Sequence, residues 1–273
     1  MLEFLIPVIV LFAAGVLCAL LLTIASVFFG VEEDEKASAI RECLPGANCG
    51  ACGYSGCDGY AEALSKGLTD KTNLCIPGGD GTSKEISVIM GLEAAEVVEQ
   101  VAYVACNGAC APEEKKYEYH GPKTCKAANM SFSGDRFCTF ACLGYGDCIR
   151  VCPRNAIKIN ERNVAQIDPS KCIGCGICVR TCPNSIIHLV RDTARVTVMC
   201  SSHNKGAQVR AVCKNGCIAC GKCEKTCPEG AIKVVDNLAT IDYDKCTGCG
   251  KCKSVCPVHC IFEGNLMCGA HFE

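Results

Sequence analysis

The sequence predicts an α+β protein in which a single N-terminal transmembrane helix precedes a small cysteine-rich domain and two copies of a larger cysteine-rich unit. Three observations support this prediction. The chain begins with a long stretch without charged residues, 29 of its 273 residues are cysteine, and a pattern of cysteines occurs twice in its C-terminal half, so that Cys148 and Cys152 recur as Cys223 and Cys227. A repeat of this kind indicates that one supersecondary unit occurs twice.

The uncharged N-terminal stretch runs from Phe4 to Val31. A helix needs roughly 20 apolar residues to cross the hydrocarbon core of a bilayer, so residues 1–35 are predicted to form a transmembrane anchor. A cleaved secretory signal is the alternative, but it would need a basic start and a shorter apolar segment. The stretch has no ionisable side chain, which indicates an anchor in the lipid bilayer rather than an ion path.

The cysteines do not fit a disulfide scaffold. Their number is odd, and most of them lie two or three residues apart. Neighbours at this spacing cannot pair with each other without strain, but several of them can converge on one metal centre. Metal-binding thiols stay reduced in the cytosol, so the cysteine-rich part is expected on the cytoplasmic side of the membrane. The formal net charge of −2 argues against nucleic acid as a partner, because that would need an excess of basic residues.

The repeat also predicts secondary structure. Residues 156–159 and 164–167 alternate between apolar and polar side chains in the first unit, which is typical of a short hairpin. A strand-like segment follows the last cysteines of each unit, at 186–190 and at 261–262. Upstream of the repeat, residues 84–104 carry apolar side chains at helical spacing and are predicted to form a packing helix.

Three runs in the repeat match the pattern C-x2-C-x2-C-x3-C-P. Bacterial ferredoxins bind iron–sulfur clusters with this pattern, and the fourth cysteine of a run ligates the other cluster of the pair. The proline lacks an N–H group and turns the chain away. Zinc is the alternative metal, but zinc sites prefer two separated C-x2–4-C pairs. The sequence therefore predicts two bacterial 2[4Fe-4S] ferredoxin-like units. The three runs are Cys172, Cys175, Cys178 and Cys182; Cys217, Cys220, Cys223 and Cys227; and Cys246, Cys249, Cys252 and Cys256.

The first run of the first unit is incomplete. When the two units are aligned by the repeat, Tyr145 takes the place of the second cysteine. Cys138 precedes Cys142 by four residues and is predicted to be the substitute ligand, whereas the equivalent Cys213 is surplus in the second unit. A three-iron cluster that lacks one ligand is the alternative. The predicted ligand sets are Cys138, Cys142, Cys148 and Cys182; Cys172, Cys175, Cys178 and Cys152; Cys217, Cys220, Cys223 and Cys256; and Cys246, Cys249, Cys252 and Cys227.

A different motif, C-x2-C-x4-C-x17-C, lies close to the predicted anchor. Glycines beside its cysteines leave room for the backbone to approach inorganic sulfide. Four cysteines in this order without histidine favour a [4Fe-4S] site, and a zinc ribbon is the alternative. Residues 58–68 within the motif are predicted to form a short helix that ends near Gly67. The four predicted ligands are Cys49, Cys52, Cys57 and Cys75.

A looser group of cysteines is a candidate for a sixth cluster beyond these five. It consists of Cys106, Cys110 and Cys125, with Cys200 or Cys213 as a candidate fourth ligand, and the alternative is that some of these thiols are spare. Three other cysteines are expected to be spare thiols, namely Cys43, Cys260 and Cys268. The expected domains are the anchor at 1–35, a membrane-proximal [4Fe-4S] domain at 36–85, a connecting segment at 86–137, and ferredoxin-like units at 138–198 and 199–273.

The sequence shows no complete active site. It contains neither a G-x-G-x-x-G fingerprint after a strand nor a P-loop, and its five histidines are scattered. The chain is therefore expected to carry electrons without catalytic residues of its own. Partner proteins are expected to catalyse the reactions at either end of the electron path.

The N-terminal apolar stretch, the motif LPGANCGACGYSGC and the ferredoxin runs together resemble the B subunit of the Rnf complex, a membrane-bound, ion-pumping ferredoxin:NAD oxidoreductase. The resemblance covers nearly the whole chain, and the two ferredoxin units are similar to the long form of that family. It implies an electron-relay subunit at the inner cell membrane that accepts electrons from reduced ferredoxin and passes them to membrane subunits. NAD reduction and Na+ or H+ transport would belong to other subunits of the complex.

The resemblance also implies roles for the cysteine sites. The set that begins with Cys49 would bind the membrane-proximal cluster and release electrons to the partner subunits, and the C-terminal ferredoxin unit would meet the donor. Two other functions stay open on the residues alone. A polyferredoxin subunit of another membrane oxidoreductase, such as a hydrogenase, would share the ferredoxin runs. A colourless zinc protein that binds macromolecules would need a basic surface, which the charge count lacks.

Overall fold

The computed structural model describes residues 2–28, 34–108 and 115–264, and within the first helix it describes the side chains of residues 9–25. The helices are α1 Leu2–Phe28, α2 Glu35–Cys43, α3 Cys57–Ser65, α4 Gly79–Met90, α5 Cys125–Met130, α6 Asp147–Arg150, α7 Ile177–Thr181, α8 Gly206–Val212, α9 Lys222–Thr226 and α10 Lys251–Ser254, with a 3-10 helix at Ile76–Gly78. The strands are β1 Gln100–Val104, β2 Ile157–Ile159, β3 Ala165–Ile167, β4 Ile187–Arg191, β5 Val196–Val198, β6 Ile232–Val235, β7 Leu238–Ile241 and β8 Ile261–Glu263.

The prediction of a transmembrane helix is wrong for the described part of the chain. Among those residues, no helix combines the length and the apolar character that crossing a membrane requires. The other part of the expected class is present, because the described residues combine short helices with antiparallel strands.

Helices α2, α3 and α4 pack around a small apolar core. Ile40, Leu64 and Ile86, one from each helix, are fully buried. The hydroxyl of Tyr60 on α3 donates a hydrogen bond to the carbonyl of Lys71 at 2.6 Å, which fixes the loop after the helix. Helix α3 overlaps the short helix predicted within the N-terminal cysteine motif. This core therefore supports the loops on both sides of α3, where the cysteines of that motif lie.

The helix predicted over residues 84–104 is wrong in its second half. Helix α4 ends at Gly91, which adopts a left-handed backbone with φ 68° and donates its N–H to carbonyls of the last turn. Glycine takes this conformation without the steric cost that a side chain brings. Residues further on form β1, in which Val101 and Val104 are buried. Their β-branched side chains suit a half-buried strand better than a helix.

The two predicted hairpins are present and follow the repeat. Strands β2 and β3 pair antiparallel with Ile157 opposite Ile167, and β6 and β7 pair with Ile232 opposite Ile241. The same register therefore recurs in the second unit, at the positions that the alignment of the cysteines makes equivalent. Ile157 and Ile232 occupy equivalent buried positions in the cores of the two units.

The strand after the last cysteines of each unit pairs with a strand from outside the cysteine runs of that unit. Strand β4 pairs antiparallel with β1, with Val104 opposite Ile187. Strand β8 pairs with β5, with Val198 opposite Ile261. The strand β1 comes from the segment expected to be a connection, and β5 comes from the end of the range expected for the first unit. Each ferredoxin-like unit is thus closed by a strand that precedes its own cysteine runs.

Candidate functional site

Short helices hold the third cysteine of each ferredoxin run. Helices α6, α7, α9 and α10 have four or five residues, and each follows a glycine with φ between 69° and 78°. A residue with a Cβ atom is strained in this left-handed conformation. The sharp turn lets the cysteines before the helix and the cysteine on it face one cavity. The turn glycines are Gly146, Gly176, Gly221 and Gly250.

The second unit contains two small cavities, each lined by the four cysteines of one predicted ligand set. In both, three cysteines come from one run and the fourth comes from the end of the other run, as predicted from the bacterial ferredoxin pattern. Helices α9 and α10 therefore lie against each other and share ligands. One set is Cys217, Cys220, Cys223 and Cys256. The other is Cys246, Cys249, Cys252 and Cys227.

The first unit contains an equivalent cavity at its second run. The structure brings together the predicted set there, Cys172, Cys175 and Cys178 with Cys152. Apolar side chains from the β2–β3 hairpin, Ile157 and Ile167, complete the lining. This cavity thus has the same design as the two in the second unit.

The cavity at the incomplete run differs from the prediction. Cys142, Cys148 and Cys182 line it, and the fourth cysteine in its wall is Cys125. Cys138 is not among the residues that line this cavity. From the sequence, Cys125 is a candidate only for a sixth cluster. The repeat carries no signal for it, because Val104 and Val198 pair with the equivalent residues Ile187 and Ile261, so that Cys106 corresponds to Cys200.

Backbone N–H groups point at several of the cysteine sulfurs. Ala156 donates to the Sγ of Cys152 at 3.3 Å, and the equivalent Ala231 donates to the Sγ of Cys227 at the same distance. Ala165 donates to the Sγ of Cys142 at 3.4 Å. Such hydrogen bonds favour the negative charge of a cluster and its thiolates, and they tune its reduction potential.

Burial sets the protonation of these thiols when no metal is bound. It raises the pKa of Cys148 and Cys178 to about 12 and that of Cys223 to about 11. Near neutral pH these thiols would therefore be protonated without iron. Metal ligation requires the thiolate, so binding of iron must release protons here.

Sequence reasoning missed the contact that Cys260 makes, because Cys260 was expected to be a spare thiol. Its Sγ lies 3.7 Å from the Sγ of Cys256, and it lines the same cavity. A hydrogen bond from its thiol lowers the pKa of Cys256 to about 5. The repeat gives no signal for Cys260, since the equivalent position in the first unit is Ile186.

The N-terminal motif also brings its four cysteines together. Cys75 is buried, which raises its pKa to about 11, and the thiols of Cys57, Cys49 and Cys52 act on it in the same direction. The N–H of Cys57 donates to the side-chain oxygen of Asn48 at 2.9 Å, which ties the loop to the start of α3. The predicted ligand set of this motif is thus assembled at one end of the small helical core.

The N-terminal site lies directly against the first ferredoxin unit. The guanidinium of Arg180 on α7 donates a hydrogen bond to the carbonyl of Cys49. The Cys49 thiol is close enough to Cys175 to contribute to its raised pKa, for which burial is the main cause. A Cβ atom on Gly174 would overlap the carbonyl of Gln100 on β1 and approach Ile76 to 3.2 Å. The two cysteine sites are therefore neighbours across a tight contact.

The two ferredoxin units meet through a pair of tyrosines. Tyr103 on β1 and Tyr243 lie close to each other, and burial raises the pKa of both. Tyr103 follows Ala102, whose N–H donates to the Sγ of Cys172 at 3.4 Å. Tyr243 precedes Cys246 by three residues, and the Cys246 thiol contributes to its raised pKa. The two tyrosines thus lie between a cysteine site of one unit and a cysteine site of the other.

The remaining candidates for a sixth cluster are not assembled into a separate site among the described residues. The Sγ of Cys200 accepts hydrogen bonds from the N–H groups of Cys217 and Ser202, at 3.2 and 3.5 Å. Cys106 lines a larger cavity of about 290 Å³ that lies between the β2–β3 hairpin and β5. Cys110 lies outside the described residues. The sixth cluster stays a prediction.

The donor sets fit [4Fe-4S] clusters. Four cysteines and a mainly apolar wall surround each ferredoxin cavity; Val196, Ile232 and Ile241 are examples in the second unit. Within 2–28, 34–108 and 115–264, no group of three or more His, Cys, Asp or Glu side chains is close enough to hold a single metal ion. The thiolates of a four-iron cluster bind different irons, so they stand further apart than the ligands of one ion.

Comparisons with family models identify iron–sulfur domains along the chain. Residues 44–77 match a family described as a putative Fe-S cluster. Three families described as 4Fe-4S dicluster domains match residues 137–186, 171–232 and 210–262. These matches cover the N-terminal cysteine motif and both ferredoxin-like units, so the chain carries [4Fe-4S] clusters.

Relatives with high similarity are B subunits of membrane redox complexes. The B subunit of the Na+-translocating ferredoxin:NAD+ oxidoreductase complex of Acetobacterium woodii is 42% identical, over 94% of this chain and 77% of that protein. The B subunit of the proton-translocating ferredoxin:NAD+ oxidoreductase complex of Clostridium ljungdahlii is 39% identical over 84% of this chain and 80% of its own length. The B subunit of the ion-translocating oxidoreductase complex of Methanosarcina acetivorans is 39% identical over 86% and 87%.

The cysteine sites, the dicluster domains and the similarity over most of the chain agree with one another. They also confirm the resemblance that the motifs suggested. The chain belongs to the family of B subunits of ion-translocating ferredoxin:NAD+ oxidoreductase complexes, the Rnf complexes.

Proposed function

We propose that this chain accepts electrons from reduced ferredoxin and relays them to membrane subunits of an Rnf-type complex, which couples NAD+ reduction to Na+ or H+ transport. Each bound [4Fe-4S] cluster supplies one-electron chemistry. The chain holds at least five such clusters, one at the N-terminal motif and two in each ferredoxin unit. NAD+ reduction and ion transport are assigned to other subunits of the complex.

The observation that carries this proposal is the series of contacts between neighbouring cysteine sites. The neighbouring side chains of Tyr103 and Tyr243 join the second unit to the first. Arg180 then joins the first unit to the loop of Cys49. A binding or structural role for the cysteines would not need the sites to be placed next to one another. An electron path needs such placement at every step.

We assign the second ferredoxin unit to the donor and the N-terminal site to the partner subunits. Cys220 and Cys249 of the second unit are exposed, whereas the N-terminal site lies at the other end of the series. The exposed lysines Lys222 and Lys225 on α9 lie near this end. Positive side chains would guide an acidic donor protein toward the exposed sites.

We further propose that the iron–sulfur domains lie on the cytoplasmic side of the cell membrane, next to the bilayer. The thiols must stay reduced to bind iron, and the cytosol maintains that state. Partner subunits embedded in the membrane would hold the chain there.

The release of electrons is tested by Cys57→Ser, which removes a buried ligand of the N-terminal site. We expect membranes that carry this variant to lose ferredoxin-dependent NAD+ reduction by more than about tenfold. The variant chain should still be reduced by ferredoxin, as followed by its visible absorbance under anaerobic conditions. Cys43→Ser in the same domain is the matched control and should retain the activity. Full NAD+ reduction by the Cys57→Ser membranes would refute the assigned role of this site.

The donor surface is tested by the double variant Lys222→Glu with Lys225→Glu. We expect its rate of reduction by ferredoxin to fall several-fold at low ionic strength, and the difference to shrink at high ionic strength, because salt screens the attraction. Stopped-flow absorbance measures this rate. Lys84→Glu, an exposed change on α4 far from the second unit in sequence, is the control. An equal loss in the control, or no salt dependence, would show that the donor binds elsewhere.

A further inference from the structure

The incomplete cysteine run lacks its second cysteine, and the electron-relay role does not say which residue replaces it as a ligand. At the place of its second cysteine stands Tyr145, which cannot ligate iron as a thiolate does. The Tyr145 hydroxyl donates a hydrogen bond to Asp135 at 2.9 Å, and its ring packs beside that of Tyr119. Asp135 is itself paired with Lys115 at 2.7 Å. The Tyr145 side chain therefore contacts the segment that precedes the run.

The same segment supplies a thiol to the cavity. Helix α5 begins at Cys125, and the side chain of Thr124 caps it by accepting a hydrogen bond from the N–H of Ala127 at 3.1 Å. The carboxylate of Asp147, just before Cys148, accepts a hydrogen bond from the N–H of Lys126 at 2.9 Å. The start of α5 is thus fastened to the ferredoxin run at the residue beside one of its ligands.

The surroundings of Cys125 match those of the predicted cysteine ligands in the other ferredoxin cavities. Cys125 is buried, and it packs with Ala128 and Leu143. It lines one cavity together with Cys142, Cys148 and Cys182.

We propose that Cys125 is the fourth ligand of a [4Fe-4S] cluster held with Cys142, Cys148 and Cys182. It takes the role of the second cysteine of the run, where the sequence has Tyr145. Cys138 is not a ligand of this cluster. The proposal concerns iron binding by the chain, so it holds whichever protein donates the electrons.

The second unit supports this assignment by contrast. Its run has Cys220 at the second place, and the cavity of that run is lined by the four predicted ligands and Cys260. No cysteine from upstream of that run is part of the lining. A cysteine from upstream thus lines the ferredoxin cavity in the unit where the run is incomplete, and not in the unit where the run is complete.

The test is the variant Cys125→Ser in the full chain, purified anaerobically. We expect roughly one iron fewer per chain if a three-iron cluster remains, or roughly four fewer if the cluster is lost. Iron and acid-labile sulfide analysis measures the loss, and the EPR spectrum of the oxidised protein shows a new signal if a three-iron cluster forms. Lys126→Ser is the matched control, because it makes the same new residue at the exposed next position of α5. Its iron content should equal that of the unmodified chain.

A rescue variant separates ligand loss from misfolding. Adding Tyr145→Cys to Cys125→Ser recreates the complete C-x2-C-x2-C pattern, so iron content and the EPR spectrum should return to those of the unmodified chain. Failure of this rescue would overturn the proposal, as would full iron content in Cys125→Ser. Loss of the same cluster in Cys138→Ser, with Cys125→Ser unaffected, would instead assign Cys138 as the ligand.

Discussion

Removal of the iron–sulfur clusters is expected to unfold both ferredoxin units, which is the largest effect anticipated here. The cysteines form much of their buried interior; Cys217, Cys223 and Cys256 are examples in the second unit. The helices around the sites have four or five residues and the strands three to five, and elements this short are not stable alone. Amide hydrogen exchange after anaerobic chelation should show loss of protection throughout residues 138–264.

The N-terminal helices provide an internal comparison for that experiment. Helices α2, α3 and α4 bury Ile40, Leu64 and Ile86 against one another. None of these three residues is a metal ligand. The 12-residue α4 should therefore keep more protection than either ferredoxin unit after chelation. Retained protection throughout both units would show that their chain fold does not depend on the clusters.

Gly174→Ala is expected to have the second-largest effect. Gly174 has φ 63°, where an alanine costs about 1–2 kcal/mol. The added methyl would also overlap the carbonyl of Gln100 in β1, and forced shifts in a packed region cost about 1–3 kcal/mol. We expect a clear fall in the midpoint of thermal unfolding and slower electron transfer to the N-terminal site. Both follow because β1 and the loop of Ile76 must move away from the first unit.

Gly248→Ala is the matched control for this variant. Gly248 occupies the equivalent place in the second unit with φ 71°, but the atom nearest to its methyl would be the Cβ of Arg195 at 3.2 Å, and not a carbonyl oxygen. Ala219 stands at the same place of another run with φ 55° and shows that the fold accepts an alanine there. An equally large loss in Gly248→Ala would trace the effect to backbone strain and exclude the contact with β1.

The cysteine that each run supplies to the site of the other run could be predicted, because the spacing of the runs is local and repeated. Cys217 and Cys227 lie within one run, and the chemistry of paired clusters then dictates which partner site receives the last cysteine. Cys125 could not be found in this way, since it lies well before Cys142 and at no recognised spacing from it. Its position depends on the tertiary contact between α5 and Asp147.

Two other failures have different physical causes. The apolar pattern over residues 84–104 fits a helix, but one glycine ends α4 and the pairing of β1 with β4 decides the rest. This pairing joins Gln100 to Arg191, which lie far apart in the sequence, so no local pattern reveals it. The expected transmembrane helix relied on the length of an uncharged apolar stretch, and the described residues contain no helix that meets the requirements for a span.

The origin of the closing strands limits where the chain can be divided. A fragment that starts at residue 138 would keep β4 but lose β1, leaving the backbone N–H and carbonyl groups of Ile187–Arg191 without their partner. An open strand edge of this kind invites association with another chain. An isolated first unit therefore has to include Gln100–Val104, and an isolated second unit has to include Val196–Val198. During synthesis on the ribosome, each unit likewise holds an unpaired strand until its last residues have been made.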